Sequence, residues 1–159
     1  MSNQIKPGDK HETASVIMIT DSKPRKVLLV HHKKFGKWLQ PGGHQERDEN
    51  SYEAALREVF EETGISISDY LPQPIRLDDI VTEVPLPTYI QQQLIPAHGD
   101  QPEHYHLDQN YVVYLPEKKV TLEAGAAHDI RWFTVEQLDT IDVIADLKPI
   151  LVKYLLYQK

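Results

Sequence analysis

The first strong pattern is a pair of short apolar runs, Val16 to Ile19 and Val27 to Val30, separated by Asp21-Ser22-Lys23-Pro24. Apolar runs of this length joined by turn chemistry predict a buried hairpin. Next comes Phe35-Gly36-Lys37-Trp38-Leu39-Gln40-Pro41-Gly42-Gly43, where a proline and paired glycines break regular structure and let backbone approach a ligand closely. Asn50 with Glu53 three residues later reads as a capping box and Gly64 as a left-handed stop, which predicts a helix from about Ser51 to about Thr63. At 100° per residue, Tyr52, Ala55, Leu56, Val59 and Thr63 share one face of it, while Arg57, Glu58, Glu61 and Glu62 crowd the other.

Further on, Ile75 to Val84 and Tyr105 to Leu115 read as strands. Between them Pro85 to Glu103 holds four prolines and reads as a long irregular loop, a candidate lid that selects substrate. His128 to Phe133 predicts a last strand, Thr134 to Leu138 a short turn, and Lys148 to Gln158 a terminal helix that tolerates Pro149 in its first turn. Elements of both kinds along one chain predict an α/β fold.

Composition narrows the classes. A length of 159 residues suits a single domain, 1–159. Without cysteine the chain has no disulfide framework, zinc-thiolate site or thiol nucleophile, and it suits a reducing compartment. Met1 to Glu12 is polar, and no stretch approaches the roughly 20 apolar residues of a membrane span. The expectation is a cytoplasmic protein with no membrane partner. Net charge is −7, and His44 to Glu62 alone carries seven acids against two arginines. Such focused acidity argues against gripping nucleic acid and favours a site that needs a cation before it can hold phosphate.

The acids are placed for that. Glu58 with Glu62 (i, i+4) and Glu58 with Glu61 (i, i+3) converge within one helical turn, where like charges repel. Arg57 can pair with Glu61 but leaves most of the charge unmet, and magnesium bound through carboxylates, water and substrate phosphate would meet it. Taken alone, the same face is also an ordinary solvated acidic surface.

The joint spacing changes the balance. Gly43, five residues, Glu49, seven residues, then Arg57-Glu58-Val59-Phe60-Glu61-Glu62-Thr63-Gly64-Ile65 resembles the Nudix box without a departure, over nine defined positions in twenty-three residues. Trp38 to Gly43 resembles the family's usual approach to the box. Arg131-Trp132-Phe133 with Glu136-Gln137-Leu138 resembles its late strand and turn.

What the resemblance implies is an α/β/α sandwich on a mixed sheet, with the acidic helix on one face and the terminal helix on the other. It implies a pyrophosphohydrolase that cleaves the diphosphate linkage of a nucleoside diphosphate joined to another moiety. Glu58, Glu61 and Glu62 would hold Mg2+ or Mn2+ with the Gly42 carbonyl as a further ligand, and Arg57 and Glu49 would be orienting partners. Glu61 or Glu62 can act as base, and some members use a base outside the box. Val81 and Thr82 stand where the family carries a substrate-specific proline or tyrosine, so the substrate stays open. So does the oligomeric state, a homodimer included.

Three rivals remain. Isoprenoid diphosphate isomerisation on this fold uses a cysteine that the chain lacks. A non-catalytic nucleotide-binding module would have lost box carboxylates, which are all present. An RNA 5′-end pyrophosphohydrolase is the remaining enzymatic alternative, though no basic stripe accompanies it.

A second group stands downstream. In a strand, His104, His106 and Asp108 share one face while Tyr105 and Leu107 share the other. Either the face looks into the cleft, touching phosphate or an additional metal with Asp108 or Glu103 as the outside base, or it is the wet side of a half-exposed edge strand. His44, Gly43, Trp38 and Phe35 near the glycine loop are further ligand-contact candidates, whereas Trp132 reads as core.

Overall fold

The computed structural model describes residues 5–122 and 127–157. In chain order the elements are β1 (Lys10–Thr20), β2 (Lys26–His32), β3 (Lys37–Leu39), β4 (Gly42–His44), α1 (Ser51–Thr63), β5 (Ile75–Arg76), β6 (Thr82–Glu83), β7 (Tyr89–Ile95), β8 (His104–Leu115), β9 (Asp129–Thr134) and α2 (Leu147–Leu156). Short 3-10 turns lie at Ser68–Tyr70 and Glu136–Asp139. Residues 1–4 of the polar N-terminal stretch and Gln158 lie outside the described residues.

The main sheet runs β3-β2-β1-β8-β7, with β4 also on β1 and β9 also on β2. β1 and β8 pair in parallel from Lys10 opposite Tyr105 to Thr20 opposite Leu115, and the remaining pairings are antiparallel, so the sheet is mixed. The apolar runs of β1 and β2 are continuous because both faces of the sheet are covered. Val16, Met18, Leu28 and Val30 pack with Tyr52, Ala55 and Val59 of α1. Their neighbours Ile17, Ile19, Val27 and Leu29 pack on the other side with Leu147, Leu151 and Leu155 of α2. Two cores separated by one sheet make the α/β/α sandwich, and the buried hairpin is β1 with β2.

Four expectations need correction. Ile75 to Val84 is not one strand but a small hairpin, β5 with β6, separate from the main sheet. The Asp78 carboxylate accepts the N–H groups of Ile80 and Val81, each at 2.7 Å, and turns the chain there. The apolar residues that suggested a strand, Ile75, Leu77, Ile80 and Val81, are exposed.

Pro85 to Glu103 is not irregular throughout, because β7 lies inside it and pairs antiparallel with β8 from Tyr89 opposite Asn110 to Ile95 opposite His104. Three consecutive glutamines, Gln91 to Gln93, hide the period of two that a strand shows when its faces differ in polarity. Since β7 covers it, β8 is an interior strand and the edge-strand reading fails; His104 and Asp108 are buried. The glycine loop likewise contains β3 and β4, so four strands rather than two precede α1. No helix among the described residues is long and apolar enough to cross a membrane.

Candidate active site

α1 begins where the sequence places it. The Asn50 side chain accepts the Glu53 N–H at 3.1 Å and the Glu53 carboxylate accepts the Asn50 N–H at 2.9 Å. It ends on Gly64, at φ 71°, whose N–H donates to the Phe60 carbonyl at 2.8 Å. Tyr52, Ala54, Ala55, Val59 and Thr63 are buried, which leaves Arg57, Glu58, Glu61 and Glu62 turned towards the glycine loop or solvent.

Arg57 ties this face together with all five of its N–H donors. Nε and Nη2 grip the two oxygens of Glu49 at 3.0 and 2.6 Å, and Nη1 reaches Glu58 at 2.8 Å and Glu61 at 3.1 Å. The remaining donor on Nη2 meets the His44 carbonyl at 3.1 Å, so one guanidinium joins helix, loop and β4. The hydrogen bond from Arg57 holds the Glu49 carboxyl below its ordinary range, and the same pairing pushes Arg57 upward.

The other acids are less well met. Burial raises Glu58, opposed by the Arg57 hydrogen bond. Glu62 accepts the Gly42 N–H at 3.0 Å, yet burial, with added repulsion from Glu58 and Glu61, pushes its carboxyl up to about 7. Gly43 is needed here as glycine: a Cβ on it would lie 2.4 Å from Glu58 Oε1. The close backbone approach expected of the paired glycines is therefore an approach to the helix carboxylates.

A cleft of about 920 Å³ opens beside Gly42 and Gly43, bounded across from them by β7 and β8. Phe35 lines it, but Trp38 does not. The half-buried Trp38 ring packs edge-on against Phe133, 4.8 Å between centroids, against the core beneath α2 and off the cleft lining. Glu103 is exposed and also lies off the cleft lining.

His104, His106 and Asp108 all line the cleft. Asp108 is nonetheless engaged at both oxygens: Oδ1 accepts the Thr13 and Ser15 hydroxyls, each at 2.9 Å, and Oδ2 accepts the Asn110 amide at 2.9 Å. Burial raises its carboxyl and these three hydrogen bonds oppose the rise. His106 is pushed down to about 4 by burial first and then by neighbouring His44, His104, His11 and Lys34; His44 is lowered for similar reasons. The shared face of His104, His106 and Asp108 therefore does look into the cleft; on it Asp108 is bound to Thr13 and Ser15 of β1, while the histidine rings lie against other histidine rings.

A family model of the NUDIX domain matches residues 9–154. The chain belongs to the Nudix family. The phosphatase NudJ of Escherichia coli K12 is 45% identical to it over 58 residues, 35% of this chain and 36% of that protein, so the match spans about a third of the curated relative. Among solved structures, a Nudix-family hydrolase from Clostridium perfringens is 25% identical at a TM-score of 0.67, covering 91% of this chain and 95% of that one. A C. elegans Ap4A hydrolase shares the fold at 18% identity and a TM-score of 0.62, over 91% and 94% of the two chains.

Two features of this Nudix domain escape a reading of the sequence. His11 stands alone in a polar segment, and only the parallel register that sets it opposite His106 brings its ring beside His104 and His106. Gln91 and Gln93 line the cleft from β7, opposite Asp108 and His106. The alternating exposure of β7 marks that face, but in sequence the intervening Gln92 masks it.

Proposed function

We propose that this Nudix domain hydrolyses the diphosphate linkage of a nucleoside diphosphate joined to another moiety, with Mg2+ or Mn2+ held by Glu58, Glu61, Glu62 and the Gly42 carbonyl. The carrying observation is Glu62: a glutamate pushed up to about 7 beside two further carboxylates and the Gly42 backbone is an oxygen cage short of positive charge. The donor set is all oxygen and suits a hard divalent cation. Bound there, the metal would neutralise diphosphate oxygens and lower the pKa of a coordinated water.

The chain's own part is positional and basic. Arg57 holds Glu49, Glu58 and Glu61 in one arrangement and fixes the loop through the His44 carbonyl. Glu61 or Glu62 takes the proton of the attacking water; Asp108, with three donors on its carboxylate, is less suited to it. Lys34 and Lys37 on the cleft wall supply charge for phosphate, and Gln91 and Gln93 offer amides to the attached moiety. The C. elegans Ap4A hydrolase, and a Shewanella oneidensis NrtR Nudix domain complexed with ADP ribose, support a nucleotide derivative as the ligand class. A cysteine-free acidic chain fits work in the cytoplasm.

A phosphatase-coupled screen of nucleotide sugars, dinucleoside polyphosphates and ADP-ribose-like compounds, with magnesium and with manganese, tests the reading. Turnover on at least one class that disappears in EDTA is expected. Full turnover by metal-stripped protein in EDTA overturns it.

A further inference from the structure

On the β1 and β8 side of the cleft the fold assembles a second group of ligands. His11 lies directly opposite His106 in the parallel β1–β8 pairing, and His104 shares the face of His106 two residues earlier. His44 of β4 pairs with Thr13, two residues beyond His11, so its ring falls on the same side. The four rings sit together, with centroids 5.1 Å apart for His11 and His104, 5.2 Å for His104 and His106, and 4.7 Å for His44 and His106.

We propose that His11, His104 and His106 form a metal site distinct from the carboxylate cage, taking one imidazole-seeking transition-metal ion of the zinc class.

Three observations carry this. One ligand nitrogen from each of the three residues lies within 4.8 Å of the others. Nitrogens bound to one tetrahedral zinc sit about 3.4 Å apart, given bonds of about 2.1 Å, so closure asks for about 1.4 Å of movement, within the reach of side-chain torsions. Second, His104 Nδ1 lies 2.8 Å from the Pro102 carbonyl, which fixes the proton on Nδ1 and leaves Nε2 bare. An imidazole anchored through one nitrogen to a backbone carbonyl is the usual arrangement of a metal-binding histidine. Third, His106 Nε2 is shut off from solvent and has no hydrogen-bond partner among the described residues. A buried polar atom left unmet calls for a ligand.

The donor chemistry sets the ion. No carboxylate belongs to the three-histidine group, so it offers magnesium nothing that the glutamate cage does not offer better, whereas three neutral imidazoles suit zinc, cobalt or nickel. Three protein ligands leave a fourth position for water or an oxygen of a cleft ligand, since His104 and His106 line the cleft. Lys34, the nearby cation, is held by the Gln101 side-chain oxygen at 3.3 Å. His44 stands at the rim, its carbonyl on Arg57.

Untagged, full-length, chelator-stripped protein with millimolar magnesium present is titrated with Zn2+ against a chromophoric chelator, and in parallel with Co2+, read by visible absorption. The expected result is one Zn2+ per chain and intense tetrahedral cobalt bands. His106→Ala and His11→Gln should each weaken zinc by at least about a hundredfold, beyond the 10–100-fold typical of an outer partner, while His44→Ala stays within that lower range. Glu62→Gln should leave zinc affinity unchanged. Melting curves establish that each variant is folded, and His11→Gln, at a half-buried position, decides the matter should His106→Ala fail to fold. Zinc affinity that follows Glu62→Gln and not the histidine variants, or no binding tighter than millimolar, overturns the site.

Discussion

The carboxylates that lie against Gly42 and Gly43 come from thirteen consecutive residues of α1, whereas the imidazoles come from β1, β4 and β8, segments up to 95 residues apart whose positions only strand pairing brings together. The helix group is charged, crowded and cross-linked by one arginine; in the histidine group burial and the neighbouring rings push His106 down to about 4. In the two proposals these are two ways of preparing for a cation. Repelling acids are held by a helix and await charge, while bare nitrogens are held by a sheet and await a Lewis acid.

Each prediction presses on that division. The largest effect is expected from Glu62→Gln, which should lower turnover by about two to three orders of magnitude with the fold intact, measured as kcat at saturating magnesium. Near-normal rates in that variant and in Glu61→Gln would mean that the helix group is vestigial. Arg57→Ala comes next: it frees Glu49, Glu58, Glu61 and the His44 carbonyl at once, and should cost about 10–100-fold in activity or metal affinity, read from magnesium titrations. A rate loss with unchanged magnesium dependence would show that the arginine serves substrate and not the cage.

Stability against pH separates the groups next. Glu62 is pushed up to about 7 in the fold, against about 4.3 in an unfolded chain. The folded state therefore holds this proton more tightly; the stabilisation is complete below the unfolded value and is lost as pH rises through about 7. In EDTA the melting temperature should fall between pH 5 and pH 8, Glu62→Gln should flatten the fall, and magnesium should restore stability at the alkaline end. Parallel profiles for wild type and Glu62→Gln would show that this carboxyl does not titrate there.

The smallest expected effect belongs to Asp108→Asn. It disturbs a buried network of Thr13, Ser15 and Asn110 and should cost about 1–3 kcal/mol, several degrees in a thermal melt. Its kcat should fall far less than that of Glu62→Gln. An equal fall would make Asp108 the base.

Much of this was legible locally. Asn50, Glu53 and Gly64 mark both ends of α1 through contacts spanning three or four residues, so sequence spacing translates directly into geometry. The β1 and β2 runs read as buried because their apolarity is unbroken. Where neighbours in space, not in sequence, set the outcome, reading failed: β7 gained its strand from β8, the apolar residues around Asp78 found no core, and Trp38 turned to Phe133 instead of the cleft.

The sequence by itself determined the acidic helix, its caps, the glycines that lie against it and the family, because each rests on short-range periodicity or on a pattern confined to twenty-three residues. Tertiary structure alone decided that Glu62 is buried enough to sit near 7, that Asp108 is tied to β1, and that His11 faces His106. Burial and strand register are properties of what packs alongside, and a parallel pairing joins residues whose separation along the chain carries no period to read.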